Sequence, residues 1–161
     1  MPQDPLLQLL LHHARSSEND LAERSGLPVE EVSARIAAWE ADGTILGYQT
    51  VLDSEKAVRD GVLALIEVKL TPERGGGFDR LAGRIARFDQ VEACLLVSGG
   101  YDLAVLVRAS DLREVARFVS EKLSTLGGVL STSTHFVLKT YKEGGFLIGG
   151  AEPDQRISVS P

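Results

Sequence analysis

Apolar residues recur with two rhythms along this chain, and the rhythm changes near residue 60. The first part is helical in period. Leu6, Leu7, Leu9, Leu10 and Leu11 form a dense apolar block that predicts a first helix ending near Ala14. Ser17 with Asp20 three residues on has the spacing of a helix N-cap, with the carboxylate placed by the open amides of the first turn. The second helix turns Leu21 and Ala22 inward and stops at Gly26. Pro28 suits the first turn of a third helix, where its missing N–H costs nothing. Val32, Ile36 and Trp39, at i, i+4 and i+7, form one apolar stripe, and Gly43 follows the helix end. The β-rich run Thr44 to Leu52 predicts a wing or connecting strand, and residues 53–61 a polar connector.

From residue 62 the pattern alternates in strand-length pieces. Strands are expected over 62–70, 91–98, 102–108 and 129–139, and helices over 78–88 and 112–123. The order β-α-β-β-α-β is that of a ferredoxin-like split unit, so the fold class is α+β. Gly99-Gly100-Tyr101 reads as a hairpin turn with glycines at positive φ, and Leu126-Gly127-Gly128 closes the second of these helices. Val62, Ala64, Ile66, Val68 and Leu70 share one strand face, while Leu63 and Leu65 lie on the other; Leu103, Val105 and Val107 oppose Ala104 and Leu106 likewise. Two helices cover one face of such a sheet. A second apolar face predicts that two sheets pack together across a dimer interface.

Two short helices joined by a tight turn, Ser17 to Tyr48, have the form of a helix-turn-helix whose second helix enters a DNA major groove. The charge opposes that use. The chain carries −6 in 161 residues, and its first fifty hold eight acids against Arg15, Arg24 and Arg35, a net −5. Duplex DNA repels such a surface. The length suits one domain or two small ones. Cys94 is the sole cysteine, which fits a reducing cytoplasm. The amino terminus has no basic region or cleavage site of a signal peptide, and no apolar run nears the roughly 20 residues that span a bilayer.

Two stretches together carry a resemblance. One is the segment from Ser17 to the exit Gly43-Thr44-Ile45-Leu46-Gly47-Tyr48. The other is Val97-Ser98-Gly99-Gly100-Tyr101-Asp102, followed by residues 118–123 (FVSEKL) and 131–139 (STSTHFVLK). In this order and spacing the chain resembles the Lrp/AsnC (feast/famine) regulators from about Pro5 to Lys142. The resemblance implies a winged helix-turn-helix DNA-binding domain over 1–48 and a connecting strand or linker over 49–60. It further implies a βαββαβ (RAM-type) effector-binding and oligomerisation domain over 61–142, then a tail over 143–161. It implies double-stranded DNA, an amino acid or related small metabolite as effector, and dimers that assemble further, often to octamers, as partners. DNA contacts would fall on Ser17, Val29, Glu30, Ser33, Ala34, Arg35, Ala37 and Ala38. Effector contacts would fall on Gly99, Gly100, Tyr101, Asp102, Thr132 and Thr134, with Asp102 as the carboxylate; the two threonine hydroxyls either line the pocket or face solvent.

The chain departs from the family where DNA would be touched. Relatives usually carry Ser, Thr or Pro at the start of the third helix and a basic pair near its end; here stand Pro28, Val29, Glu30 and Glu31, then Ala37 and Ala38. Relatives also often have an acid at the position of Gly100. A glutamate at the helix start retains the capacity to accept from a cytosine amino group. One rival reading is a metabolite-binding or protein-docking module that has lost DNA binding. Another is an enzyme akin to sirohaem decarboxylases, against which the three scattered histidines argue.

The remaining motifs point to no cofactor. Gly75-Gly76-Gly77 lacks the Lys-Ser/Thr of a phosphate loop and reads as a connector. His12, His13, His135 and Cys94 do not have metal-ligand spacing, and Cys94 reads as a small core residue. Phe146, Leu147 and Ile148, bracketed by glycines, are expected to dock on a neighbouring subunit as a terminal strand.

Overall fold

The computed structural model describes residues 4–54, 56–57, 61–72 and 78–149. The chain divides into two compact units, residues 1–51 and 52–161. The Gly75-Gly76-Gly77 connector lies outside the described residues.

In the first unit, α1 spans Pro5–His12, α2 Glu18–Ser25 and α3 Val29–Ala41. Each boundary has a local cause. Asp4 accepts from the Leu6 N–H at 2.8 Å, and Pro5 opens α1, which ends two residues before Ala14. Ser17 and Asp20 form a reciprocal capping box: the serine oxygen accepts from the Asp20 N–H, and the Asp20 carboxylate accepts from the Ser17 N–H, both at 3.1 Å. Gly26, at φ 72°, closes α2 in the left-handed region that a Cβ disfavours. Pro28 is the N-cap residue of α3, one position before the first turn where it was expected. Leu6, Leu10, Leu21, Ala22 and Val32 are buried together, with Leu9, Leu27, Val29, Ile36, Trp39 and Ile45 packed around them.

The expected wing strand over 44–52 does not form. Residues 46–53 have no assigned strand, and Leu46 and Tyr48 are 95% and 52% exposed. Residues of high β-propensity become a strand only when another backbone takes their hydrogen bonds, and no described segment is paired with this one.

The second unit is built on β1 (Val62–Leu70), β2 (Val91–Leu96), β3 (Leu103–Ala109) and β4 (Val129–Phe136). The sheet order is β2-β3-β1-β4, every neighbouring pair antiparallel, as the split β-α-β-β-α-β reading requires. Helix α4 covers Asp79–Ile85 and α5 covers Leu112–Arg117. Ile66, Val68, Leu70, Leu103, Val105 and Val107 form the covered face, buried with Leu81, Ile85, Phe118 and Leu123 from the helical layer. On the other face Leu63 pairs with Arg108, Leu65 with Leu106, and Glu67 with Ala104.

The helix expected over 112–123 changes form midway. Residues Phe118–Leu123 are a π-helix. Its inward positions, Phe118 and Leu123, are five apart, and both are buried. An unbroken α-helix would turn the position four after Phe118, Lys122, toward the core. The wider turn leaves the Lys122 amine outside, 5.5 Å from the centre of the Phe88 ring. Phe88 meets Phe118 edge-on with ring centres 5.5 Å apart.

In the carboxyl-terminal segment, residues Lys142–Glu143 (β5) and Phe146–Leu147 (β6) pair with each other as a hairpin, and Ile148 is buried in the same chain. Gly144 and Gly145, at φ 55° and 91°, make the two-residue turn whose positive φ values match the twist of paired strands.

Candidate functional site

The outward face of α3 follows from its periodicity. At 100° per residue, Val29, Val32, Ile36 and Trp39 fall on one side, and Glu30, Ala34, Ala37, Ala38 and Ala41 on the opposite side. The first four pack in the core and the other five are exposed. A single acid followed by four methyl groups is a smooth surface, on which a groove edge can come close to the helix backbone. It has no cation.

Of the residues singled out for DNA contact, the structure places Glu30, Ala34, Ala37 and Ala38 on this face. The others have structural duties. Ser17 caps α2. Val29 is half-buried against the core, because its position falls on the inward side of α3. Ser33 donates to the Glu18 carboxylate at 3.3 Å, tying α3 to the start of α2. Arg35 donates to Asp4 at 3.1 Å and to Glu31 one turn earlier. The one basic side chain on α3 is therefore engaged by two carboxylates, and no surplus positive charge remains there for phosphate.

Ionisation in this unit follows the caps. The Ser17 hydroxyl and then the Ser17 N–H hold Asp20 below the ordinary carboxylate range. Thr44, through its side chain and then its N–H, does the same for Asp42. Tyr48 is pushed up, first by desolvation and then by its 2.9 Å hydrogen bond to Glu40. Beside these groups lies an apolar cavity of ≈ 520 Å³ between α1 (Leu7, Leu10, Leu11, Ala14) and Thr44–Gln49. Sequence reasoning missed it, because a strand had been expected in that stretch.

The second candidate site is the end of the sheet at the β2–β3 hairpin. Val97 donates its N–H to the Asp102 carbonyl at 2.9 Å, and Asp102 donates its N–H to Val68 at 3.0 Å. Thr132 pairs with Val68 on the other side of β1, and Thr134 with Ile66 one step further in. Asp102 and Thr132 thus flank Val68, about 10 Å apart at two strand spacings. Gly99 has φ 149°, whereas Gly100 is not in the positive-φ region, so one glycine of the pair carries the conformational demand. Open space surrounds both α-carbons, and Tyr101 is half-buried beside them.

The Asp102 carboxylate, expected to contact effector, also has a partner within the sheet. Its Oδ2 accepts from the Leu70 N–H at 2.7 Å, where the β1–β4 register slips between Lys69 and Leu70. β1 runs on past its last pair with β3, Val68–Leu103, and this carboxylate supplies the partner that the Leu70 amide would otherwise lack there. Thr132 and Thr134 are both half-buried on the helix-covered side, since their partners Val68 and Ile66 belong to that face.

Other expected chemistry is quiet. The Cys94 sulfur lies 3.8 Å from the Ala82 carbonyl and desolvation pushes its thiol up, which suits a packed core residue. His135 Nε2 lies 3.4 Å from Glu67 and 3.3 Å from the Ser133 hydroxyl; one nitrogen serves both, so the trio is not a proton relay. Among the described residues no three His, Cys, Asp or Glu side chains group as a metal site, and no helix is long and apolar enough to cross a membrane.

This geometry has relatives. The family model described as the Lrp/AsnC ligand binding domain matches residues 63–146. The Bacillus subtilis (strain 168) protein named "Uncharacterized HTH-type transcriptional regulator YugG" is 45% identical over 157 residues, covering 97% of this chain and 95% of that protein. A proline dehydrogenase transcriptional activator of Rhizobium radiobacter is 33% identical over 140 residues, covering 87% and 89%. The crystal structure of a Neisseria meningitidis transcriptional regulator in complex with L-Met superimposes with a TM-score of 0.67 at 25% identity, covering 86% of this chain and 88% of that one. With a domain match over more than half its length and a relative so similar from end to end, the chain belongs to the Lrp/AsnC family.

Proposed function

We propose that this protein is a DNA-binding transcriptional regulator that senses an amino acid or related small metabolite and works as a dimer or higher assembly. The observation that carries the reading is the bare outer face of α3, opposite the core and presented by the capped Gly26 turn. Glu30 accepts from a cytosine amino group and the alanine methyls meet thymine methyls in the major groove. The names of the relatives above favour the regulator role, and the methionine complex of the Neisseria protein favours an amino acid effector.

Affinity then comes from assembly rather than from one helix. With Arg35 engaged, a single unit gains little from counterion release. Two or more units on one scaffold convert the second contact into an intramolecular one. The scaffold is the uncovered sheet face, where Leu63, Leu65, Leu95, Ala104 and Leu106 are ringed by Glu67, His135 and the Arg108–Glu92 ion pair. The effector seats at the sheet end marked by Gly99, Gly100, Tyr101 and Thr132, and shifts the assembly by binding one arrangement more tightly than another.

Titration of labelled duplexes from upstream regions, its own promoter included, tests this in 50 to 200 mM salt with competitor DNA, with and without single amino acids. Specific retention of a duplex supports regulation. Failure to retain any duplex under every condition sinks it and favours the second reading, a protein-docking module, for which the net −5 of the first fifty residues speaks.

A further inference from the structure

We propose that the carboxyl-terminal hairpin is a clasp on the segment that connects the two units, with Asp53 as its catch. The Gly149 N–H donates to Asp53 Oδ2 at 3.2 Å, across 96 positions of sequence. The hairpin holds that amide in place: β5 pairs with β6, Ile148 donates its N–H to the Tyr141 carbonyl at 3.0 Å, and the Ile148 side chain is 8% exposed. On the connector side, Lys56 and Ala57 donate their N–H groups to the Asp53 carbonyl at 3.1 and 2.8 Å, and the Lys56 amine lies 3.6 Å from the same carboxylate. One aspartate thus joins a turn of the connector to the residue that follows the hairpin.

The consequence is a change in reach. With the catch closed, the chain between Tyr48, bonded to Glu40 in the first unit, and Asp53, bonded within the second, spans five steps, about 17 Å when fully extended. Open, the chain from Tyr48 runs fourteen steps to Val62 at the start of β1, about 50 Å when fully extended. The clasp therefore sets how freely the first unit turns against the second.

The full-length chain tests this with Asp53→Ala, which removes the acceptor; Gly145→Val, which forces a β-branched residue to φ 91° with no atom in its way; and Asp53→Asn, which keeps an acceptor oxygen. Hydrogen exchange of the Lys56 and Ala57 amides is expected to quicken roughly tenfold or more in the first two variants and to stay near wild type in the third. Core amides such as Ile66 and Val105 serve as the internal standard, their exchange unchanged. The sole tryptophan, Trp39, sits in the first unit, and its fluorescence anisotropy should gain a faster decay when the clasp opens. Connector exchange that is unaltered in either releasing variant, or exchange that rises only in step with the core, overturns the clasp; anisotropy that is unaltered while the connector exchanges faster overturns its hold on the first unit.

Discussion

The carboxylate of Asp102 accepts the backbone N–H of Leu70 at 2.7 Å, bridging two strands at the point where the ladder on the far side of β1 slips. A residue that sequence comparison marks for ligand is thereby committed to the sheet itself. Asp102→Ala is expected to destabilise the protein by about 1–3 kcal/mol, the range for stranding a partly buried donor. Asp102→Asn, which keeps an acceptor, should lose less. Urea denaturation of the three proteins checks this, and identical midpoints would remove the clamp from the account. Any loss of effector response in the alanine variant has to be read against that loss of stability.

Acid should loosen the α2 capping box before the sheet. Hydrogen bonds from Ser17 hold Asp20 below its usual range, so its contribution is complete above the unfolded value and disappears as pH falls through the lower folded value. Exchange of the Ser17 and Leu21 amides, followed from pH 5 to about 2 relative to intrinsic rates, should show protection declining. Asp20→Asn should flatten that decline, and an equal decline in the variant would assign it elsewhere.

Arginine at positions 37 and 38 should convert a neutral face into a phosphate-binding one. If α3 lies along a duplex, Ala37→Arg with Ala38→Arg should strengthen binding and steepen the salt dependence by about 0.9 in slope for each new contact. An unchanged slope would mean that this face does not meet DNA.

The uncovered sheet face has its own test. Leu106 pairs with Leu65 on that side and lies away from the helical layer. If copies pair through this face, Leu106→Asp is expected to leave the secondary structure intact and to yield monomers in sedimentation experiments, because burying an unpaired carboxylate in an interface is costly. A wild-type sedimentation profile for the variant would show that copies pair through another surface.

Much of the architecture was legible because its signals are local. The Ser17–Asp20 cap, the left-handed Gly26 and the inward stripe Val32–Ile36–Trp39 each lie within one or two helical turns. The period-two strands made the sheet order inferable, and β1 has the expected bounds, Val62–Leu70. Element ends were less accessible. The π turn in 118–123 arises because Phe118 and Leu123 must both face a core formed by distant strands. The strand expected over 44–52 had the right residues but no partner backbone, which no local propensity can supply.

The candidate sites divide along the same line. Ala34, Ala37, Ala38 and Glu30 are outward as the helical period requires. Arg35 was expected to supply charge to DNA, and only folding brings Asp4 to it from 31 positions away. Asp102 met Leu70, and Asp53 met Gly149, by the same kind of long-range closure.

By itself, then, the order of residues determined the helical and strand rhythms, the acidic amino-terminal part and the Ser17–Asp20 cap. Tertiary structure decided which carboxylates and amides are already committed: the tie on Arg35, the clamp at Asp102 and the catch at Asp53. The reason is physical. Periodicity reports which side of an element turns to the core, whereas a hydrogen-bond partner remote in sequence is chosen only when the chain closes and polar groups removed from water must find one another.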